Sequence, residues 1–231
     1  MENSWPRDVT LPSADLPLGD RLRQLCAYAR LAPSLRNTQP WRLRVAGDRV
    51  EVWADRRRAL AVADPDGRGL TISCGAALAQ LEVAARAAAL ATTIERLPDP
   101  DAPDLLARLR VTGEAAPATE DPWLFQAIPK RRTHRGVFSS HAVSASLLDR
   151  LAALADASGA PLVVAVGERR RALLEIVREA DRTQRADPAL REELAAWVAP
   201  ELGARGLGIP SHADERAALL AGAPTRLRRF A

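Results

Sequence analysis

Two cysteines, a single lysine and the lack of any long apolar run set the first bounds on this 231-residue chain. Cys26 and Cys74 lie far apart and form no C-x-x-C pair, so neither a zinc knuckle nor a disulfide framework is supported. A reducing, cytoplasmic setting fits. No stretch has the length of apolar sequence that a bilayer span needs. The nearest approach, residues 74–91, carries Glu82 and Arg86 and reads as a buried, alanine-rich helix. The polar, proline-containing lead-in of residues 1–18 holds no apolar run of signal-peptide type.

Several chemical signatures are missing too. There is no glycine-rich dinucleotide motif and no P-loop. Neither Ser34 nor Ser73 sits in a G-x-S-x-G context, which leaves a serine hydrolase unsupported. Asp64-Pro65-Asp66-Gly67 lacks the later ligands of a calcium loop and is a turn signal. His134, His141 and His212 share no helical spacing, so no metal site is expected.

What is present is a globular composition, 47% apolar, with 33 basic against 29 acidic residues and a net charge of +4. That balance is nearly even. The basic pI reflects arginine rather than a large field. The length allows one or two domains with a sizeable core.

The pattern predicts an α+β protein. Gly19-Asp20 can cap a helix running to about Leu31, with Leu22, Leu25, Cys26 and Ala29 on one face. Residues 32–40 break it with two prolines and short polar side chains. Alternation predicts a hairpin, Trp41 to Val45 and Val50 to Ala54, turning at Ala46-Gly47-Asp48. Thr71 to Gly75 should open a helix to about Ala89 whose small residues permit close helix–helix approach. Two more strands are expected, Ala91 to Leu97 and Leu106 to Thr112. Residues 113–121 read as a linker and the domain seam. A short helix, Pro122 to Lys130, follows. Ser144 can cap the next helix, which ends at Gly159. Leu162 to Val166 is a candidate strand, and two helices follow, Glu168 to Ala186 and Pro188 to Val198, the second capped by Asp187.

One stretch concentrates chemistry. Lys130-Arg131-Arg132-Thr133-His134-Arg135-Gly136 packs cations and a hydroxyl together. Arginine offers planar, bidentate donors to phosphate, and threonine adds a short neutral donor. The same run also reads as a solvated basic turn.

Two segments carry a family resemblance. Arg131-Arg132-Thr133-His134-Arg135-Gly136-Val137-Phe138 resembles the R-R-S/T-x-R-x-F signature of FMN-dependent nitroreductases, and Ala32-Pro33-Ser34-Leu35-Arg36-Asn37-Thr38-Gln39-Pro40-Trp41 resembles their A-P-S-x-x-N-x-Q-P-W segment. The order of the two is reversed relative to ordinary nitroreductases, which is similar to the Acg family of nitroreductase-like proteins of actinobacteria. Ala54-Asp55-Arg56-Arg57-Arg58-Ala59-Leu60, residues 63–68 and Ile72-Ser73-Cys74-Gly75-Ala76-Ala77-Leu78 agree with that family.

The resemblance implies a nitroreductase-like fold: a central, mostly antiparallel sheet flanked by helices, built as tandem half-domains in a pseudo-dimer. Residues 19–113 would form the first half and residues 121–231 an incomplete second. The second alanine- and leucine-rich helix and the closing strands are expected beyond Ala231. The helix from Gly75 to Ala89 is then expected to self-associate or to expose an apolar face.

The resemblance further implies FMN as cofactor. Arg131, Arg132 and Thr133 match the phosphate-binding role. Arg135 matches the position near the N1/O2 edge that stabilises the reduced ring. Pro33, Ser34, Asn37 and Gln39 would contact ring and ribityl groups, for which amides and hydroxyls are suited because they donate and accept. Trp41 is expected in the core. No side chain is expected to act as a catalytic acid or base. The activity implied is NAD(P)H-dependent reduction of a small nitro or quinone acceptor by ping-pong hydride transfer, with neither nucleic acid nor membrane as partner. Two other readings stand beside it: a flavin-binding storage protein without enzymatic activity, and a basic nucleic-acid module using Arg56 to Arg58 and Arg131 to Arg135, which lacks any recognised motif.

Overall fold

The computed structural model describes residues 10–133 and 138–198. These fall into two compact units, residues 10–133 with 196–198, and residues 138–195.

The first unit is built on one antiparallel sheet. Strands β1 (Trp41–Ala46) and β2 (Arg49–Ala54) form the expected hairpin, with Ala46 paired to Arg49 across a two-residue turn. Gly47 sits there at φ +60°, a left-handed conformation that such tight turns require and glycine adopts at little cost. Strands β3 (Leu90–Arg96) and β4 (Leu105–Glu114) complete the sheet in the order β1-β2-β4-β3. Alternation places Val50, Val52, Ala107 and Leu109 on the inner face.

Helices α1 (Leu18–Ala29) and α2 (Arg68–Ala87) pack with that face in a single apolar core. Leu22, Leu25 and Ala29 recur at helical spacing and are fully buried. Burial of each leucine contributes about 1.5–3 kcal/mol. Ala77, Ala84 and Ala85 of α2 are fully buried as well, so small residues do bring α2 close to its neighbours. Trp41 belongs to this core, as expected.

Two helix starts differ from expectation. Helix α1 begins at Leu18, after Pro17, and Asp20 lies in its first turn rather than capping it. Helix α2 begins at Arg68, three residues before Thr71, because the Asp64 carboxylate accepts from the amides of Gly69 and Leu70, both at 2.8 Å. The carboxylate of the turn signal thus caps the helix.

Helix α3 (Asp121–Ala127) belongs to the first unit. Phe125 stacks edge-on against Tyr28 with ring centroids 4.7 Å apart, and buried Asp121 accepts from Arg86 Nε at 2.9 Å and from the Ala118 amide. These contacts fix where the chain emerges from α3.

The second unit holds α4 (Ala145–Ala157) and α5 (Gly167–Ala186), and α6 (Pro188–Ala196) follows. Ser144 Oγ accepts from the Leu147 amide, as its cap position predicts. Gly159 at φ +74° and the bond from the Ala160 amide to the Ala155 carbonyl close α4 in a Schellman turn. Asp187 Oδ1 accepts from the amides of Ala189 and Leu190. The strand expected over Leu162 to Val166 does not form: residues 161–166 carry no ladder, and Val163 and Val164 are exposed. A short apolar run becomes a strand only where a partner edge accepts its amides and carbonyls, and none is present in this unit among the described residues. Among the described residues no helix is long and apolar enough to cross a membrane.

Candidate functional site

The segment from Ala32 to Pro40 links α1 to β1 and folds on its own polar side chains. Ser34 Oγ accepts from the Gln39 amide at 3.0 Å, and Thr38 Oγ1 donates to the Leu35 carbonyl at 2.9 Å. Ser73 on α2 joins in: its hydroxyl accepts from the Leu35 amide at 3.1 Å and donates to the Gly69 carbonyl at 2.6 Å. Three residues, Arg36 (φ +53°), Asn37 (+56°) and Gln39 (+49°), adopt the left-handed region within four positions. Outside glycine that region costs about 1 kcal/mol per residue, least for asparagine. Such strain concentrates where a backbone is held for a purpose. Pro33 is exposed, while Ser34, Asn37 and Gln39 are half-buried.

Beneath this loop lies a polar anchor. The Pro40 carbonyl accepts from the Asp55 amide at 2.9 Å and from Cys74 Sγ at 3.3 Å. Burial pushes the Cys74 thiol up to about 12, so it acts here as a packing group and donor. The three consecutive arginines after β2 are each engaged. Arg56 pairs with Asp104 at 2.7 Å, Arg57 grips Asp55 through Nε and Nη2, and Arg58 donates to the carbonyls of Thr38 and Gln39. The Arg57 hydrogen bonds hold the Asp55 carboxyl below the usual carboxylate range, against the opposing effect of its burial.

The arginine cluster meets the loop at its entrance. Arg131 Nη2 donates to the Leu31 carbonyl and Nη1 to Thr133 Oγ1, both at 3.3 Å. Its Nε is buried with no hydrogen-bond partner. Desolvation, then the neighbouring Arg132, lowers the Arg131 pKa. Arg132 donates to the carbonyls of Pro129 and Arg131 and, like Thr133, is exposed. The structure therefore brings Arg131 to the start of the Ala32–Pro40 segment, with Arg132 and Thr133 beside it. Arg135 and His134 lie outside the described residues. Ser73 and Arg58 also build the site: sequence reasoning assigned Ser73 no part in it, and offered Arg58 only as part of a basic turn able to meet a phosphate, not as a residue that bonds this loop. Their only local signal was position within the segments after β2 and at the start of α2.

A separate apolar cleft of about 260 Å³ opens between α2 and the β3–β4 end of the sheet, lined by Cys74, Leu78, Leu97 and Leu106 among others. On the outer face of α2, Ile72, Gly75 and Ala79 are exposed.

Comparison with known proteins adds a relationship to this geometry. Over 182 residues the chain is 35% identical to the Putative NAD(P)H nitroreductase Rv3131 of Mycobacterium tuberculosis, covering 78% of this chain and 52% of that protein. The chain is homologous to this nitroreductase group. The Putative NAD(P)H nitroreductase acg of the same organism is 37% identical over 90 residues, 39% of this chain and 27% of that protein. The Uncharacterized protein Rv3127, also mycobacterial, is 32% identical over 194 residues, 80% of this chain and 55% of its own length. The chain thus spans about half the length of the two relatives that it matches over most of its own length. No protein-family model matches it.

Proposed function

We propose that this chain is an FMN-binding, nitroreductase-like oxidoreductase that uses NAD(P)H to reduce nitro or quinone compounds. The observation that carries the reading is the contact between its two motif segments, with the Arg131 guanidinium bonded to the carbonyl at the entrance of the Ala32–Pro40 loop. Homology to proteins named as NAD(P)H nitroreductases supports it.

The donor set fits a flavin phosphate. Arg131 is a partly desolvated cation beside a second cation, with one buried nitrogen unpartnered. An incoming dianion offsets the repulsion between the two neighbouring guanidinium groups. In this reading Arg131, Arg132 and Thr133 hold the phosphate, and Arg135 takes the role of stabilising the reduced ring. Pro33, Ser34, Asn37 and Gln39 contact the ring and ribityl chain on a loop whose backbone is already set, which lowers the ordering cost of binding. When bound, FMN supplies hydride acceptance from NAD(P)H and electron delivery to the acceptor, the two substrates using one pocket in turn. The protein's part is to bind, orient and exclude water, and no side chain is assigned as acid or base.

The same reading treats residues 19–113 and 121–231 as tandem nitroreductase-like halves, with α2 available for self-association through its exposed small residues. Sedimentation velocity across a concentration series tests the latter: an unchanging monomer contradicts it.

A flavin-storage protein is the rival reading. Stopped-flow mixing of the FMN-loaded protein with NADPH separates the two. Bleaching of the flavin absorbance within seconds supports the reductase. Flavin that binds tightly yet stays oxidised for many minutes with NADPH and NADH overturns it.

A further inference from the structure

The left-handed stretch between Ser34 and Gln39 poses a question of physical maintenance. Three non-glycine residues in that region relax unless surrounding contacts hold them. Ser34 Oγ and Ser73 Oγ each take up one loop amide, those of Gln39 and Leu35. The carbonyls of Thr38 and Gln39 are taken up by one atom, Arg58 Nη1, at 3.3 and 3.0 Å. Arg58 comes from outside the loop, 20 and 19 positions further along the chain.

Its base is equally defined. Arg58 Nε lies 3.6 Å from Asp55 Oδ2. Asp55 is 4% exposed. Its own amide bonds the Pro40 carbonyl, the exit of the same loop, and Arg57 fixes both oxygens of its carboxylate with two bonds of 2.8 and 2.9 Å. Loop exit, carboxylate and guanidinium thus form one closed circuit anchored on the end of β2. Of the three consecutive arginines, Arg56 pairs with Asp104, Arg57 pairs with Asp55, and Arg58 reaches the loop carbonyls. A planar guanidinium can face two successive carbonyls while its Nε faces a carboxylate. An ammonium could reach both carbonyls from its one nitrogen, but it has no second nitrogen to face the Asp55 carboxylate.

We infer that Arg58, seated on Asp55, is a positioning residue that holds residues 34–39 in the conformation that receives the FMN ring and ribityl chain. This rests on the flavin reading above. Arg58 itself is not assigned a contact with flavin.

The test uses two readouts on the full chain, for the wild type, Arg58→Met and Arg58→Lys. The first is amide hydrogen exchange without flavin. Loss of the clamp raises exchange about tenfold or more at Leu35, Asn37, Thr38 and Gln39, while Val50 and Leu109, paired within the sheet, stay unchanged. The second is FMN affinity by fluorescence titration. Arg58→Met weakens it about tenfold or more, and Arg58→Lys falls between. Loop exchange equal to wild type overturns the clamp. Faster loop exchange with unaltered FMN affinity overturns the positioning role. A wild type that takes up no FMN overturns the flavin reading and this role with it, and the exchange data still report separately whether Arg58 holds the loop. Core exchange that rises together with the loop marks a general loss of stability and also counts against the proposal.

Discussion

The Arg131 guanidinium donates to the carbonyl oxygen of Leu31 at 3.3 Å, joining residues 100 positions apart. The bond ties the segment after α3 to the segment after α1. Arg131 is half-buried, and both of its bonds, to Leu31 and to Thr133, are long at 3.3 Å, so their loss removes a modest, partly solvated interaction. Arg131→Ala is therefore expected to cost about 1 kcal/mol of stability, measured by urea unfolding. A variant that remains folded at that cost is a clean probe of ligand binding.

Helix α3 depends on Phe125, which is 4% exposed and packed edge-on against Tyr28. Phe125→Ala leaves a cavity and is expected to destabilise by about 3–5 kcal/mol. Phe125→Leu keeps most of the volume and should cost less than about 2 kcal/mol. Equal midpoints for the two variants in urea would show that α3 is not held by this contact.

Asp55 gives a signed pH dependence. Its folded pKa lies below the ordinary carboxylate value, chiefly through the Arg57 hydrogen bonds. Such a group contributes stability above its unfolded pKa of about 3.9 and loses it as pH falls through the lower folded value. The wild type should lose stability below about pH 4 more steeply than Asp55→Asn, while at neutral pH the variant is the less stable of the two. Parallel pH profiles contradict the assignment.

Both cysteines are predicted to be slow. Burial pushes the Cys26 thiol up to about 11 and the Cys74 thiol up to about 12, so little thiolate exists near neutral pH. A colorimetric disulfide reagent at about pH 8 should react slowly with the native protein and with two thiols after unfolding in guanidinium. Rapid reaction of either native thiol contradicts the burial.

Local signals made much of this fold legible. The alternation of β1 and β2, the Gly47 turn and the Ser144 and Asp187 caps act over a few residues, and each is found where the sequence places it. Where the deciding partner is distant in sequence, the sequence is silent or misleading. Leu162 to Val166 has the composition of a strand but, among the described residues, no edge to pair with. The start of α2 is a local miss instead: Asp64, five and six residues before the amides it caps, reads first as a turn signal and conceals the cap. The left-handed backbone at Arg36, Asn37 and Gln39 has no glycine to announce it, and Arg58 serves a loop some twenty residues earlier. The candidate site was legible as motifs. Its construction was not, because it is made of contacts between segments.

The most direct measurement is the visible absorption spectrum of the purified protein after incubation with FMN and desalting, for wild type and Arg131→Ala. The account predicts retained flavin in the wild type and a loss of affinity of about tenfold or more in the variant, the effect of removing a charge-assisted phosphate contact. A colourless wild type, or a variant that retains flavin equally well, contradicts the assignment of this loop and arginine cluster as an FMN site.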